Sequence, residues 1–191
     1  EFKSLQHVKK KGQSAAICSG VTIAKGPLIA TLDGDGQNDP ADIPKLLEKY
    51  YAHSGEDGRL MVIGWRKGRS GGWRRRTSSR IANIIRSWLL SDHTPDTGCG
   101  LKIFKREDFV NFPLFDHMHR FLPALMLRSG GRVISVEVNH RRRMHGKSHY
   151  GILNRMLMGI TDLAGVSWLN RRKIEVEIRE LTKSPNGPES N

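Results

Sequence analysis

The sequence predicts an α/β domain with a mainly parallel sheet between helices. Three observations carry that prediction. Apolar runs and amphipathic segments alternate along the chain, the runs are short and uninterrupted as in strands buried on both faces, and the most acidic turn directly follows one of them. With 191 residues, there is enough chain for one core and hardly enough for two.

Gln13 to Ala24 reads as a helix with Ala16, Ile17, Val21 and Ala24 on one side, ended by Gly26. Leu28 to Leu32 follows as a strand. Pro40 to Tyr51 is a turn entering a helix, with Ile43, Leu46, Leu47 and Tyr50 inward. Leu60 to Gly64 is a second strand. A basic, glycine-rich loop from Arg66 to Arg76 leads to a helix over Thr77 to Leu90. Gly100 to Phe104 and Val133 to Val138 are further strands, with a helix over Met118 to Ser129 between them. The chain opens on a basic segment, Glu1 to Lys11, where a nucleotide-binding sheet would open on an apolar strand. The expectation is therefore that the first strand–helix–strand unit is lacking.

Composition narrows the function classes. Net charge is +13, from 32 Lys and Arg against 19 Asp and Glu, which favours a polyanionic partner: nucleic acid, a phosphorylated substrate or an anionic membrane surface. Two cysteines, Cys18 and Cys99, make neither a disulfide framework nor a zinc cluster, so a reducing compartment is expected. No run of 18 uncharged apolar residues occurs, and the N-terminus lacks a signal-peptide pattern.

The acidic turn is Asp33-Gly34-Asp35-Gly36-Gln37-Asn38-Asp39-Pro40. Carboxylate and amide oxygens at the end of a strand suit a hard cation beside substrate phosphates. A helical calcium loop fails, because the sixth position from Asp33 is Asn38 and the twelfth is Pro44. A plain polar turn stays open as the alternative.

Three other clusters bear chemistry. Gly64 to Arg76, continuing to Ser79 and Arg80, combines arginine forks with glycines, as a phosphate-wrapping loop would. Trp65 and Trp73 among those arginines also allow base stacking, but no nucleic-acid module surrounds them. Asp96-Thr97-Gly98-Cys99-Gly100 is a compact turn between helix and strand, where a lone Asp is usually a cap and Cys99 a small core residue. His140 to Tyr150 follows a strand with enough donors to clamp a diphosphate. Gly146 and the basic flanks argue against metal ligation by His145 and His149. Finally, Ile152 to Asn170 is amphipathic, with Leu153, Met156, Leu157, Ile160, Leu163 and Ala164 apolar and Arg171-Arg172-Lys173 following. It suits a core-packed helix or, through its basic flank, a lipid interface.

In their order, these clusters resemble the family 2 glycosyltransferases that make polyisoprenyl-phosphate sugars, the dolichol-phosphate mannose synthase and undecaprenyl-phosphate transferase group. The likeness runs from Gly12 to Trp168 and includes His119-Arg120-Phe121-Leu122-Pro123-Ala124-Leu125. It implies a GT-A-like nucleotide-sugar transferase fold. One catalytic domain would span 1–170, including the amphipathic helix at 151–170, followed by a basic flank and tail at 171–191.

The resemblance also implies site roles. Asp33 matches a nucleotide-side aspartate, and Asp35 and Gln37 match the ligands of Mg²⁺ or Mn²⁺. Arg66, Arg75 and Ser79 match positions that hold the acceptor phosphate. Arg143, with Ser148 nearby, matches a donor-binding arginine that also serves catalysis, and Asp96 a catalytic carboxylate. Two positions depart from the family pattern: His149 stands where lysine is usual and Trp65 where serine is common. The implied reaction is inverting transfer of a hexosyl group from a GDP- or UDP-sugar to a polyisoprenyl phosphate. Its lipid-linked product would serve glycan assembly or lipid A modification. Expected partners are that donor and acceptor, an anionic membrane surface and, as a candidate, a membrane partner subunit, with no nucleic acid. The expected location is peripheral, on the cytoplasmic face of a membrane. Two alternatives remain: a family 2 transferase acting on a sugar hydroxyl, and a basic nucleic-acid-binding module.

Overall fold

The computed structural model describes residues 2–55, 58–66, 86–139, 141 and 152–174. Its helices are α1 (Gly12–Ile23), α2 (Ile43–His53), α3 (Arg106–Val110), α4 (Leu122–Arg128) and α5 (Ile152–Arg171). Its strands are β1 (Leu28–Thr31), β2 (Leu60–Trp65), β3 (Lys102–Lys105) and β4 (Arg132–Glu137). Residues 86–90 are also helical, at the end of the expected 77–90 helix; residues 77–85 lie outside the described residues. The expected helix from Met118 to Ser129 is broken instead into a 3₁₀ turn, Met118–Arg120, and α4.

Local chemistry explains the boundaries. The Asp39 carboxylate caps the turn Pro40–Asp42 by accepting from the Ala41 N–H, and prolines at 40 and 44 occupy first-turn positions where no N–H is needed. α1 ends at Ile23, and the residues up to Pro27 carry the chain into β1. Its buried line is Ser14 and Val21, with Ile17 and Cys18 packed beside them, whereas Ala16 faces outward.

The four strands run in the order β1-β3-β2-β4. β2 pairs parallel with β4, but β3 is antiparallel to both β1 and β2. Three strands therefore share one direction, and the mainly parallel expectation needs correcting at β3, where the sheet is mixed. Nothing in a tetrapeptide as short as Lys102–Lys105 fixes its direction. The long connection from Trp65 to Lys102 leaves both directions open, and the sense is decided by pairing.

The central strand β2 is buried over Leu60–Gly64 because both faces are covered. On one face Leu60, Val62 and Ile103 pack with Leu46 and Tyr50 of α2. On the other, Met61 and Phe104 pack with Val21, Phe109, Leu122 and Met126. Leu60, Met61 and Val62 alternate between these two cores, the period-two rule of a pleated sheet, while Ile63 joins the α2-side cluster with Val62. α5 adds a smaller cluster, Val166 and Leu163 against Leu90, Phe121 and Ala124. None of the described helices is long and apolar enough to cross a membrane.

β1 lies at the edge of the sheet. A groove of about 730 Å³ runs between it and α1, from Gln13 to the acidic turn.

Candidate active site

Because β3 runs against its neighbours, its entry lies beside the exits of β1, β2 and β4. Four segments that are distant in sequence therefore meet: the acidic turn after β1, Arg66 after β2, the Asp96–Gly100 turn before β3, and Asn139–Arg141 after β4.

The acidic turn is shaped by short-range hydrogen bonds. The Asn38 amide oxygen accepts from the Asp33 N–H at 3.0 Å, and Asp35 Oδ1 accepts from the Gln37 N–H at 3.1 Å. Gly36 adopts φ +74°, a conformation that side-chain-bearing residues rarely take. Gln13 of α1 donates to Asp33 Oδ1 at 2.7 Å. The far side of the turn is tied to the chain leaving β4. There the Arg141 N–H donates to the Gln37 carbonyl at 3.0 Å, and the Arg141 guanidinium meets Asp39 at 2.6 Å. The backbone bond from Ala41, with Arg141 adding to it, lowers the Asp39 pKa from its ordinary value. Asn139 likewise donates twice to Asp42, at 2.8 and 3.1 Å.

The second turn is built differently. Arg66 is buried and grips both oxygens of Asp96, Nε to Oδ2 at 2.6 Å and Nη2 to Oδ1 at 2.9 Å. A few residues earlier, Arg86 bonds Asp92 at 2.7 Å and the Thr94 carbonyl at 2.6 Å. Burial raises the Asp92 pKa and lowers that of Arg86, each against the pull of its partner. Two buried arginines thus hold the path into Asp96.

Glycines let the two turns touch. A Cβ on Gly100 would lie 2.3–2.5 Å from the Asp33 carboxylate, so only glycine permits this approach. A Cβ on Gly64 would meet Cys99 Sγ and a Val138 methyl, each at 2.9 Å. Behind Gly100, the fully enclosed Lys102 donates to the Cys99 carbonyl. Burial pulls its ammonium pKa down to about 8, while Asp33 and Asp96 favour its charged form. Sequence reading missed Lys102 because it sits within an apolar strand, and it missed the Arg66–Asp96 pairing because 30 residues separate the partners. The glycine spacing around Cys99 was the available signal.

Of the sequence-predicted site residues, the fold brings Asp33, Asp35, Gln37, Arg66 and Asp96 to one end of the sheet. Arg75, Ser79, Arg143 and Ser148 lie outside the described residues. Among the described residues no cluster of three or more His, Cys, Asp or Glu could enclose a metal. The donors present are instead a carboxylate and an amide, Asp35 and Gln37. That set fits Mg²⁺ or Mn²⁺ completed by substrate phosphates, and fits a soft metal poorly.

Solved structures place the architecture in a class. Glucosyl-3-phosphoglycerate synthase from Mycobacterium tuberculosis, in complex with Mg²⁺ and uridine-diphosphate, superposes with a TM-score of 0.54 at 14% identity, covering 84% of this chain and 55% of that one. Mannosyl-3-phosphoglycerate synthase from Rubrobacter xylanophilus gives 0.54 at 15%, covering 93% and 56%. The fold is the GT-A-like one. Residues 1–112 match the family model for Glycosyl transferase family 2, and the chain belongs to that family.

Sequence relatives are more specific. Dodecaprenyl-phosphate galacturonate synthase of Rhizobium johnstonii is 37% identical over 165 residues, 85% of this chain and 47% of the relative. Undecaprenyl-phosphate 4-deoxy-4-formamido-L-arabinose transferase of Aeromonas hydrophila is 37% identical over 144 residues, 75% and 42%. The chain spans about half the length of the curated relatives it matches.

Proposed function

We propose that the protein transfers a hexosyl group, with inversion, from a nucleoside-diphosphate sugar to a polyisoprenyl phosphate at the cytoplasmic face of a membrane. One observation carries the reading: an oxygen-donor turn, Asp33 to Gln37, lies against a second turn whose carboxylate, Asp96, is clamped by an arginine. Relatives whose names describe sugar transfer on polyprenyl phosphates support the acceptor class. The 1–170 region would be the catalytic domain, with α5 as its last helix and the 171–191 tail as a basic flank. The outer edge of β1, with its adjoining groove, is where a further strand would extend the sheet.

Asp35 and Gln37 would hold Mg²⁺ or Mn²⁺, which neutralises charge on the departing diphosphate. Asp33 would then face the nucleotide side, anchored by Gln13. Arg141, tied to Asp39 and Gln37, fixes the start of the segment carrying Arg143 and Ser148. Both would bind the same diphosphate in this reading. The acceptor phosphate is mostly dianionic at neutral pH, because its second proton leaves near pH ~6, so it needs no strong base. Asp96 therefore serves orientation: both its oxygens accept from Arg66, whose remaining N–H groups would serve the acceptor phosphate, a role Arg75 and Ser79 would share. A sugar-hydroxyl acceptor would demand a proton-accepting carboxylate, a task ill suited to a doubly clamped one. The Trp168 and Ile160 side chains of α5 are exposed, and Arg172 lies 5.8 Å from the Trp168 ring, a face suited to anionic lipid.

The test is a donor screen with the intact protein, Mg²⁺ and a polyisoprenyl phosphate, scored by mass of the lipid product. Metal-dependent formation of a lipid-phosphate sugar is expected. Transfer to glycan hydroxyls alone, or salt-dependent RNA binding without any transfer, would overturn the reading.

A further inference from the structure

Beside Asp33 lies a second, smaller cavity. Its volume is about 130 Å³, and Asp33, Thr97, Gly98, Lys102, His119 and Arg120 are among its walls. Neither Asp35 nor Gln37 lines it. At roughly 30 Å³ per liquid water, the space suits a sugar substituent and not a nucleoside or a metal–diphosphate.

Its charges do not cancel. Asp96 is paired with Arg66, and the Asp33 charge favours the ammonium form of the buried Lys102, which donates to the Cys99 carbonyl. His119 is neutral at physiological pH, its pKa pushed down to about 4 by burial and by the neighbouring Arg120 and Lys102 charges; its Nδ1 lies 2.8 Å from Ser14 Oγ. Arg120 remains. It has no ion-pair partner among the described residues, and it is held in place by the 3₁₀ turn Met118–Arg120, whose His119 N–H donates to Ser14. An arginine on the wall of a small cavity beside a buried ammonium suits a carboxylate, which a guanidinium can bind through two parallel hydrogen bonds.

We infer that this cavity is a specificity subsite for an anionic substituent of the transferred sugar, with Arg120 binding the exocyclic carboxylate of a uronosyl group. The inference rests on the nucleotide-sugar reading above and adds the sugar class to it. A neutral hexose would leave Arg120 without an ion-pair partner among the described residues. A uronate supplies the missing charge.

Paired calorimetric titrations of the intact protein with Mg²⁺ test it, using UDP-galacturonic acid against UDP-galactose and GDP-mannuronic acid against GDP-mannose. The acid of one pair should bind about tenfold tighter or more than its neutral partner. Arg120→Met should bring that ratio close to one, and Arg120→Lys, which keeps the charge but loses the fork, should retain part of it. Circular dichroism establishes that each variant is folded; if Arg120→Met is not, Arg120→Gln takes its place. Equal affinities in wild type, or a preference that persists in the folded Arg120 variants, overturn the subsite while UDP or GDP binding upholds the nucleotide-sugar reading. Loss of polyisoprenyl-phosphate binding in Arg120→Met, with the acid preference intact, would assign the arginine to the acceptor and also overturn it. Absence of any Mg²⁺-dependent nucleotide binding sinks both.

Discussion

The two turns that meet at the end of the sheet each carry aspartates, yet they are held by opposite means. The Asp33–Asp39 turn is shaped mainly by short-range bonds, with Asn38 and Asp35 accepting from N–H groups a few residues away, and its outside partners, Gln13 on Asp33 and Arg141 on Asp39, are exposed side chains. The Asp92–Gly100 turn is held from outside by buried guanidinium groups, Arg86 on Asp92 and Arg66 on Asp96. A carboxylate in a self-shaped turn can change partners without dismantling the protein. One clamped by a buried arginine is part of the scaffold, since removing either member strands the other's charge. The difference separates residues that can respond to ligand from residues that fix where ligand goes.

The sharpest way to break this contrast is Arg66→Met. Leaving Asp96 without its guanidinium should cost about 3–5 kcal/mol of stability, read as a lowered denaturation midpoint. The double variant Arg66→Met/Asp96→Leu should recover much of that loss, and if it does not, the pair is no scaffold. Next comes Asp35→Ala. Turnover should fall by about a hundredfold to a thousandfold with the loss of metal assistance, while thermal stability changes by less than about 1 kcal/mol. A large stability loss there would erase the distinction between the turns. Gly100→Ala probes their contact. The new methyl must displace the Asp33 carboxylate, at about 1–3 kcal/mol, and weaken donor binding.

The last expected effect, spread over about two to three pH units, is a pH dependence. His119 has a folded pKa near 4 against an ordinary value of 6.5, so the unfolded chain binds more protons between those values. The stabilising contribution of the neutral ring is complete above about pH 6.5 and disappears as pH falls toward 4, a change of about 2–3 kcal/mol at most. Denaturant midpoints measured across that range should decline on acidification, and His119→Asn should flatten the decline.

Much of the architecture could be read from sequence patterns. The apolar run at Leu28 and the spacing of Ile43, Leu46, Leu47 and Tyr50 locate β1 and α2 because burial imposes a period on the residues themselves. The helix expected over Met118–Ser129 is interrupted, since Pro123 stands in the first turn of α4 and cannot lie inside a continuous helix. Lys102 could not have been anticipated. A lysine between apolar neighbours reads as an exposed strand position, and only the enclosure beside Asp33 and the Cys99 carbonyl makes it an internal cation.

The acidic turn shows where the division falls. Sequence by itself determined its donors, its glycine flexibility and its place after a buried strand, because those depend on residue type and immediate neighbours. The tertiary structure decided what faces it. β3 runs antiparallel, so the Asp96 turn enters at the same end of the sheet as Asp33 and Arg66. Strand direction comes from which edges find each other in the folded sheet, a long-range choice that no local pattern encodes. From that choice follow the Arg66–Asp96 clamp, the Gly100 contact and the cavity that Arg120 lines.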